Sequence, residues 1–448
     1  MAYKIRSIKF NFLMNLLLTG SSILFPLITF PIVSRALLAD AYGVCGFASS
    51  VVSWLSLIAM LGVNRYGVRE VARVRDNSVL LAKTAREIFL VTVISTVIVY
   101  VCFFISLFLV QRFEANRALL FINGFTIICN TFGVTWFFQG IEQYSYITVR
   151  GLIIKVVCLV AIIFLVHAPS DYLWYAGILV AANGLANIVN FCYMMHILQE
   201  CNRCELSQDS KGNASLDKAA GDESIAYAEC SSATKCGKLN LKQHLAPLAQ
   251  FFIIVAAISI YTSFDTVMLG FLSTDTQVGY YTADINVKSA LVAVVSALSS
   301  VLLPRASNLL ANSENDEFKR IVKVAVKGVL LVSVPLCIII AAIATPLITW
   351  YAGDSFAGAG SALSVVTLAV IPIGLSVIFC DEVMIPLGLE KKCVYIYSAA
   401  AIINFGLNFI TIPLWGAFGA ALSTAFVEVF ITVVEFIIVR PYIWGNKL

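Results

Sequence analysis

The sequence predicts an all-α integral membrane protein with twelve transmembrane helices in two groups of six. Only 12% of its 448 residues are charged and 60% are hydrophobic, whereas a soluble domain usually carries about 25% charged residues. Apolar runs of about twenty residues, the length that a helix needs to cross a bilayer, recur along the chain. The lysines and arginines are concentrated in alternate connections between these runs, which is typical of a multi-pass protein.

The predicted spans form two sets that are separated by one long polar connection. The first set lies near 10–34, 44–63, 88–110, 118–138, 151–168 and 172–198, and the second near 245–269, 281–303, 322–350, 359–386, 394–414 and 416–439. We therefore expect three parts: an N-terminal six-helix lobe (1–198), a flexible cytoplasmic loop (199–244) and a C-terminal six-helix lobe (245–448).

The distribution of positive charge predicts that both termini are cytoplasmic. With this orientation, the outer connections contain only three cations, Arg35, Arg112 and Arg117, while the remaining loop cations lie inside. The first apolar run, from Phe10 to Val33, is too long for a cleavable signal peptide, so we interpret it as an uncleaved span. The outer connections are short, which argues against an enzyme with an outer catalytic domain.

Three short motifs occur once in each set of spans. They are a tyrosine and a glycine at 42–43 and 279–280, GIE or GLE at 140–142 and 388–390, and LWYA or LWGA at 173–176 and 414–417. A parallel internal repeat of this kind is typical of transporters whose two lobes are related by an axis along the membrane normal. We therefore expect the two lobes to face each other across a cleft.

Motifs for common enzyme chemistry are absent from the sequence. It contains no Walker loop, dinucleotide fingerprint, HExxH zinc motif or GxSxG elbow. We expect no enzymatic activity, no cofactor, no metal ion and no nucleic-acid partner. Cys201, Cys204, Cys230, Cys236 and His244 offer enough ligands for zinc but lack a matched second pair, so a reduced, flexible loop is the favoured interpretation.

Cations in or beside the spans are candidate substrate-binding residues, because a charge in a membrane is costly unless it lines water or meets an anion. They are Arg35, Arg65, Lys155, Lys288 and Arg305. Arginine binds phosphate well through its planar fork, so a cationic cleft predicts a phosphorylated substrate. Arg35 is the strongest candidate, since cations are scarce on the outer side. Alternatives are an interfacial anchor for Arg65, snorkelling for Lys155, and an ion pair of Lys288 with Asp284, four residues earlier.

Three carboxylates are candidate ion-coupling or gating residues: Glu142, Asp265 and Asp381. A proton or sodium ion on one of them could bias the lobes between inward-facing and outward-facing states. For Asp265, a solvated interfacial carboxylate is an equal alternative. Asp381 and Glu382 are adjacent, so they point about 100° apart on a helix and at most one faces the cleft.

The chain resembles the Wzx-type flippases of bacterial polysaccharide biosynthesis, in the multidrug/oligosaccharidyl-lipid/polysaccharide exporter superfamily. The segments that carry the resemblance are FPLITFPIVSRAL, LGVNRYGVREVARVR, TWFFQGIEQYSYITVRGLIIKVV, SFDTVMLGFL, LLPRASN and PLGLEKK. It implies a V-shaped pair of lobes that moves undecaprenyl-diphosphate-linked oligosaccharide to the outer leaflet by alternating access. The matching motifs imply that the cleft contains Arg35, Arg65, Lys155, Arg305, Glu142 and Asp265.

The resemblance also implies a monomer in the bacterial inner membrane, in contact with membrane lipid and working beside a polysaccharide polymerase and glycosyltransferases. Three alternatives remain open, one of them a lipid II flippase, although those resemble fourteen-span chains and this chain offers twelve. An ion-coupled drug or metabolite exporter of the same superfamily would have a cleft rich in aromatic residues and carboxylates, with few arginines. A membrane glycosyltransferase or polymerase would act on the same lipid-linked sugars, but the short outer loops and the lobe repeat argue against it.

Overall fold

The computed structural model describes residues 8–216, 239–300, 309–310 and 314–445, and these residues are almost entirely helical. The helices of the first half are α1 (Ile8–Met60), α2 (Val63–Val74), α3 (Ser78–Leu109), α4 (Gln111–Glu114), α5 (Arg117–Thr131), α6 (Thr135–Gly140), α7 (Tyr144–Leu165) and α8 (Tyr172–Leu216). Those of the second half are α9 (Lys242–Leu272), α10 (Asp275–Ser300), α11 (Asn315–Ala342), α12 (Ala344–Ala352), α13 (Gly360–Leu368), α14 (Val370–Val377) and α15 (Glu390–Ile443). Single 3₁₀ turns cover Pro169–Asp171 and Asp354–Ala359, and a π-helical turn covers Ile378–Met384.

The structure confirms an all-α membrane protein. Within the described ranges, nine helical segments are long and apolar enough to cross a membrane. Large apolar side chains such as Phe12, Leu109 and Leu331 stand on their outer surface, where lipid would cover them. The number of twelve crossings stays a prediction.

The longest helix of the first half, α1, is a hairpin. Its backbone leaves the helical conformation at Leu38, where φ is 63°. The ring centroids of Phe30 and Tyr42 lie 5.1 Å apart, whereas a straight helix would separate these positions by about 18 Å. The chain therefore folds back at Leu38, between the first and second predicted spans.

The last helix, α15, folds back in the same way. Its break lies at Gly416, with φ 54° and ψ −129°, a conformation that glycine adopts without steric cost. Across the break, Thr411 Oγ1 lies 2.8 Å from Ser423 Oγ. The two legs of α15 therefore correspond to the eleventh and twelfth predicted spans.

The two halves share a hydrophobic core at the end that the charge distribution predicts to be outer. This cluster combines residues of α1, such as Val33 and Phe47, with Tyr281 of α10 and Phe356 of the second half. Separate clusters fill the opposite end of the first half, which the charge distribution predicts to be cytoplasmic, and the interior of the second half. The halves are thus joined most closely at the outer end.

Two glycines allow α1 and α10 to approach at this outer end. A Cβ atom on Gly43 would lie 1.8 Å from the backbone oxygen of Asp275, and one on Gly279 would lie 2.1 Å from the backbone oxygen of Ala39. Both glycines belong to the tyrosine and glycine motif that occurs in each half. The repeat therefore brings its own two copies into direct contact.

At the cytoplasmic end, the first turn of α9 is anchored to the first half. His244 Nδ1 lies 2.6 Å from the hydroxyl of Tyr66, and His244 Nε2 lies 2.9 Å from Glu87 Oε2. The backbone N–H of Asn240 donates to Glu87 Oε1 at 2.8 Å. His244 and Glu87 are both buried, so the anchor consists of hydrogen bonds that water does not weaken.

We expect the substitution Gly43→Ala to loosen the contact between α1 and α10, because the new methyl group cannot fit beside Asp275. Hydrogen–deuterium exchange in nanodiscs should show faster exchange in peptides that cover residues 36–46 and 275–282. Gly20→Ala on the same helix is the matched control, since no atom lies within 4 Å of its added Cβ. Equal exchange in Gly43→Ala and wild type would contradict the contact.

Candidate functional site

A polar cavity lies between the two halves, along the second leg of α1. It has two adjoining compartments, of about 430 and 600 Å³, which share Ser53 and Leu57. We call the first the outer compartment, because it reaches Tyr42. The second is the inner compartment, because it reaches Arg65 in the first turn of α2.

Hydroxyl groups cover the two facing walls of the outer compartment. The α1 wall and the α9 wall contribute Ser49, Ser50, Ser53, Ser259, Thr262, Ser263 and Thr266. Aromatic residues also line it, namely Tyr42, Trp54, Tyr175 and Tyr281, together with aliphatic side chains such as Leu57, Leu179 and Ile285. The outer compartment therefore offers neutral hydrogen-bonding groups between apolar surfaces.

The inner compartment has several amide side chains and one cation in its lining, beside apolar and hydroxyl residues. The amides are Asn64, Asn130, Gln139, Asn183 and Asn187, and the cation is Arg65. In the described part of the chain, Arg65 has no ion-pair partner, and no carboxylate borders either compartment. An anion entering from the cytoplasmic side would therefore meet an available guanidinium group.

The asparagines of the inner compartment are functional candidates that we did not predict. Asn183 and Asn187 lie on α8 in the segment AANGLANIVN, and Asn190 follows at the same helical spacing. Polar residues at i, i+4 and i+7 in an apolar membrane helix indicate a stripe that faces protein or water. The signal was therefore present in the sequence.

Arg35, the strongest predicted candidate, does not line the cavity. Its Nη2 donates to the backbone oxygen of Trp350, at 2.6 Å, across the boundary between the halves. Near it, the hydroxyl of Tyr351 donates to the backbone oxygen of Leu27 at 2.9 Å. Arg35 thus belongs to the set of contacts that closes the cavity at its outer end.

An ion pair between Arg112 and Asp275 strengthens this outer closure. Arg112 also donates from Nε to the backbone oxygen of Gly270 at 2.9 Å, and its guanidinium carbon lies 5.4 Å from the ring centroid of Phe47. These contacts hold the first half to both α9 and α10. An outward-facing state would have to break them.

The remaining predicted cations do not meet in one cleft. Lys155 donates to the hydroxyls of Ser21 and Ser22, each at 2.9 Å, and so joins α7 to α1 within the first half. Arg305 lies outside the described residues. Arg65 is the one predicted cation that borders the cavity in the described ranges, and a cationic cleft stays a prediction.

Lys288 does not form the expected ion pair with Asp284. Both carboxylate oxygens of Asp284 are buried and have no hydrogen-bond partner among the described residues. A polar network does lie in the same half, around Asp265.

Asp265 is the centre of this network. It is 2% exposed, and its Oδ2 accepts hydrogen bonds from Tyr281 at 2.7 Å and from Thr424 at 2.8 Å. Its Oδ1 accepts from Asn408 Nδ2 at 2.7 Å. These partners come from α10 and from both legs of α15. Tyr281 also lines the outer compartment, so the network is in direct contact with the cavity.

The other two predicted coupling residues lie away from the cavity. Glu142 pairs with Arg75 and accepts from Asn11 Nδ2 at 3.4 Å, which ties α1 and the residue after α2 to the turn before α7. Asp381 is exposed on the π-helical turn, while its neighbour Glu382 is buried. The predicted divergence of this adjacent pair is therefore confirmed.

The alternative zinc site loses one of its ligands, because His244 is bonded to Tyr66 and Glu87. Cys230 and Cys236 lie outside the described residues. Within the described ranges, no group of three His, Cys, Asp or Glu side chains could hold a metal ion.

Known proteins resemble this chain over nearly its whole length. It is 22% identical to a candidate O-antigen transporter of Escherichia coli K12, with 99% of this chain and 98% of that protein covered. It is 24% identical to a candidate O-antigen transporter of Shigella dysenteriae, with 94% and 98% covered.

Two solved structures share the fold. The first, the lipid II flippase MurJ in an inward closed conformation, has a TM-score of 0.66 at 12% identity, covering 96% of this chain and 87% of that chain. The second, an inward-facing multidrug resistance transporter of the MATE family, has a TM-score of 0.64 at 12% identity, covering 94% of each chain. The V-shaped, two-lobe transporter fold is thereby confirmed.

Two family profiles match the sequence. The profile described as lipid II flippase MurJ matches residues 226–445. The profile described as polysaccharide biosynthesis protein matches residues 8–310, which is more than half of the chain. The chain therefore belongs to the polysaccharide biosynthesis protein family.

Proposed function

We propose that this protein moves undecaprenyl-diphosphate-linked oligosaccharide from the cytoplasmic to the outer leaflet of the bacterial inner membrane. The observation that carries the proposal is the cavity between the halves. It is neutral and rich in hydroxyl and amide groups, it has one arginine near its cytoplasmic end, and its outer end is closed. The resemblance to candidate O-antigen transporters supports the same substrate class.

The cavity chemistry matches the two polar parts of such a substrate. Sugar hydroxyls both donate and accept hydrogen bonds, as do the serine, threonine and asparagine side chains of the lining. Arg65 provides a planar guanidinium for the diphosphate. Removing the diphosphate from water is the main barrier, since a buried charge without a partner is strongly unfavourable. The polyprenyl tail stays in lipid.

The contacts that close the outer end are the ones that must break and re-form during alternating access. With the outer end closed by Gly43, Gly279 and the pair of Arg112 with Asp275, substrate enters from the cytoplasmic side. Transport then requires these contacts to separate while the cytoplasmic side closes. The protein acts without covalent chemistry, as a monomer with both termini cytoplasmic, and supplies substrate to polymerases and glycosyltransferases.

For a drug exporter we expected a cleft with aromatic residues, carboxylates and few arginines, and the lack of carboxylates in the described lining is the feature that argues against it. Aromatic residues are present, but the carboxylates of the second half, including Asp265, lie behind the cavity wall. We assign ion coupling to Asp265, because a buried carboxylate that contacts three helical legs can change their packing when it binds a proton or a monovalent cation.

Replacing Arg65 by alanine should slow transport by about tenfold or more, because a hydrogen bond to a charged group contributes about 1.5–3 kcal/mol. Proteoliposomes containing the full chain and a fluorescent undecaprenyl-diphosphate-linked repeat unit would report transport through lectin accessibility. Arg440→Ala, which removes an exposed arginine outside the cavity, is the control. Normal transport by Arg65→Ala would remove Arg65 from the substrate path, and no transport by wild type would overturn the proposed function.

We expect Arg112→Ala to open the outer end, because it removes the ion pair with Asp275 and the bond to Gly270. Spin labels at the exposed positions Ala115 and Ala357, in a variant whose accessible native cysteines are replaced, should show a larger population of long distances. Exchanging the charges, with Arg112→Asp and Asp275→Arg together, should partly restore the short distance. An unchanged distance distribution in Arg112→Ala would show that the pair does not hold the closure.

Asp265→Asn should keep substrate binding but lose the acceleration of transport by an imposed proton or sodium gradient, because asparagine stays neutral. The measurement is the transport rate in proteoliposomes with and without each gradient. Glu142→Gln, which alters a predicted coupling residue outside the cavity, should retain the gradient response. If Asp265→Asn responds like wild type, the coupling site lies elsewhere.

A further inference from the structure

We propose that Asn130, Asn183 and Asn187 form a glycan-binding subsite in the inner compartment, which binds the hydroxyl groups of a neutral sugar. This inference rests on the proposed function and identifies residues that would recognise the carbohydrate rather than its lipid carrier.

The three amides hold one another in a fixed orientation. Asn130 Oδ1 accepts from Asn183 Nδ2 at 3.0 Å and from Asn187 Nδ2 at 3.5 Å. Asn187 Nδ2 also donates to Asn183 Oδ1 at 3.0 Å. Because the oxygen of Asn130 points into this network, its NH₂ group points away from it. Such preorganisation lowers the entropic cost of binding.

The network leaves hydrogen-bonding groups available at the cavity. Among the described residues, the NH₂ group of Asn130 and Oδ1 of Asn187 have no hydrogen-bond partner, and both side chains border the inner compartment. An available donor therefore lies near an available acceptor. This pairing suits a sugar hydroxyl, which donates one hydrogen bond and accepts others.

A break in the fourth predicted span exposes these amides. Helix α5 ends at Thr131 and α6 begins at Thr135, with Gly133 between them. Irregular backbone at membrane depth is tolerated where it lines a water-filled cavity, and broken helices form the binding sites of many transporters. A Cβ on Gly133 would lie 3.0 Å from the amide carbon and oxygen of Asn187, so glycine leaves room for this amide, which is 7% exposed and borders the cavity.

Helix packing alone does not account for the arrangement. Asn190, one turn further along α8, shows the packing role, since it is fully buried and bonds to Thr135 at 3.4 Å. Asn130 and Asn183 are only half-buried and border the cavity. Arg65 borders the same compartment, so one substrate can place its diphosphate near Arg65 and its sugar on the amides.

The test compares binding of two lipids to the full chain by native mass spectrometry. The probes are undecaprenyl diphosphate without sugar and the same lipid carrying a trisaccharide. Asn183→Leu and Asn187→Leu should each bind the glycosylated lipid about tenfold more weakly, the loss expected for one or two hydrogen bonds. Their affinity for the sugar-free lipid should match that of wild type, whereas Arg65→Ala should weaken binding of both.

Two further variants separate binding from folding. Asn123→Leu replaces a buried asparagine of α5 that bonds to its own helix at the Leu119 oxygen and does not border the cavity, so it should bind both lipids normally. Gly133→Ala keeps all three amides but crowds Asn187, and should reproduce the selective loss if a leucine variant does not fold. The subsite would be overturned if Asn183→Leu and Asn187→Leu bound the glycosylated lipid as tightly as wild type, or if they lost affinity equally for both lipids. Failure of wild type to bind either lipid would instead overturn the proposed function.

Discussion

The contact of α1 with α10 at Gly43 and Gly279 is the constraint on which the rest of the arrangement depends. Because the two backbones touch there, the halves meet closely at the outer end. A second contact joins them at the other end, where His244 of α9 bonds to Tyr66 and Glu87, and the cavity lies between these two contacts. Packed interfaces have discrete arrangements rather than continuous ones, so a contact made by backbone atoms is suited to a structure that is either closed or open.

Charged residues close the outer end around this contact, whereas the walls of the cavity are almost free of charge. Arg35 and Arg112 are used at the outer closure, where each binds a carbonyl or carboxylate of the other half. The cavity walls are almost neutral, and the carboxylate network around Asp265 lies behind them. A neutral wall lets a polar substrate move from one hydrogen-bonding group to the next without a deep electrostatic trap.

The sequence predicted the membrane spans well, because span length and apolar composition are local properties. The hairpin turn at Leu38 falls between two predicted spans, and the turn at Gly416 falls on the first residue of the twelfth. The cationic cleft stays a prediction, and among the described residues Arg65 is the predicted cation that borders the cavity. A stranded charge indicates a polar partner but not which partner: Arg35 meets Trp350 from the other half, and no sequence pattern encodes that encounter. Arg65 received less weight than Arg35 because cations on its side of the membrane also follow from the positive-inside rule.

The asparagines of the inner compartment were missed in the sequence for a different reason. Their spacing on α8 was visible in the sequence, but charged residues attracted the functional interpretation. Asn130 could not be grouped with Asn183 and Asn187 from sequence, because the contact joins α5 to α8 through a break in the fourth span. Local patterns identify polar stripes, whereas a binding site depends on which stripes face each other.

The anchor of His244 to Tyr66 and Glu87 has a consequence for the long connection before it. Because α9 is positioned by these hydrogen bonds, lobe geometry does not depend on the length of chain that leads to Asn240. Loop closure costs little extra free energy as a loop lengthens. Insertions and deletions in the connection before the anchor should therefore change the free energy of folding little. A segment can be added there, in evolution or by protein engineering, without disturbing the lobes.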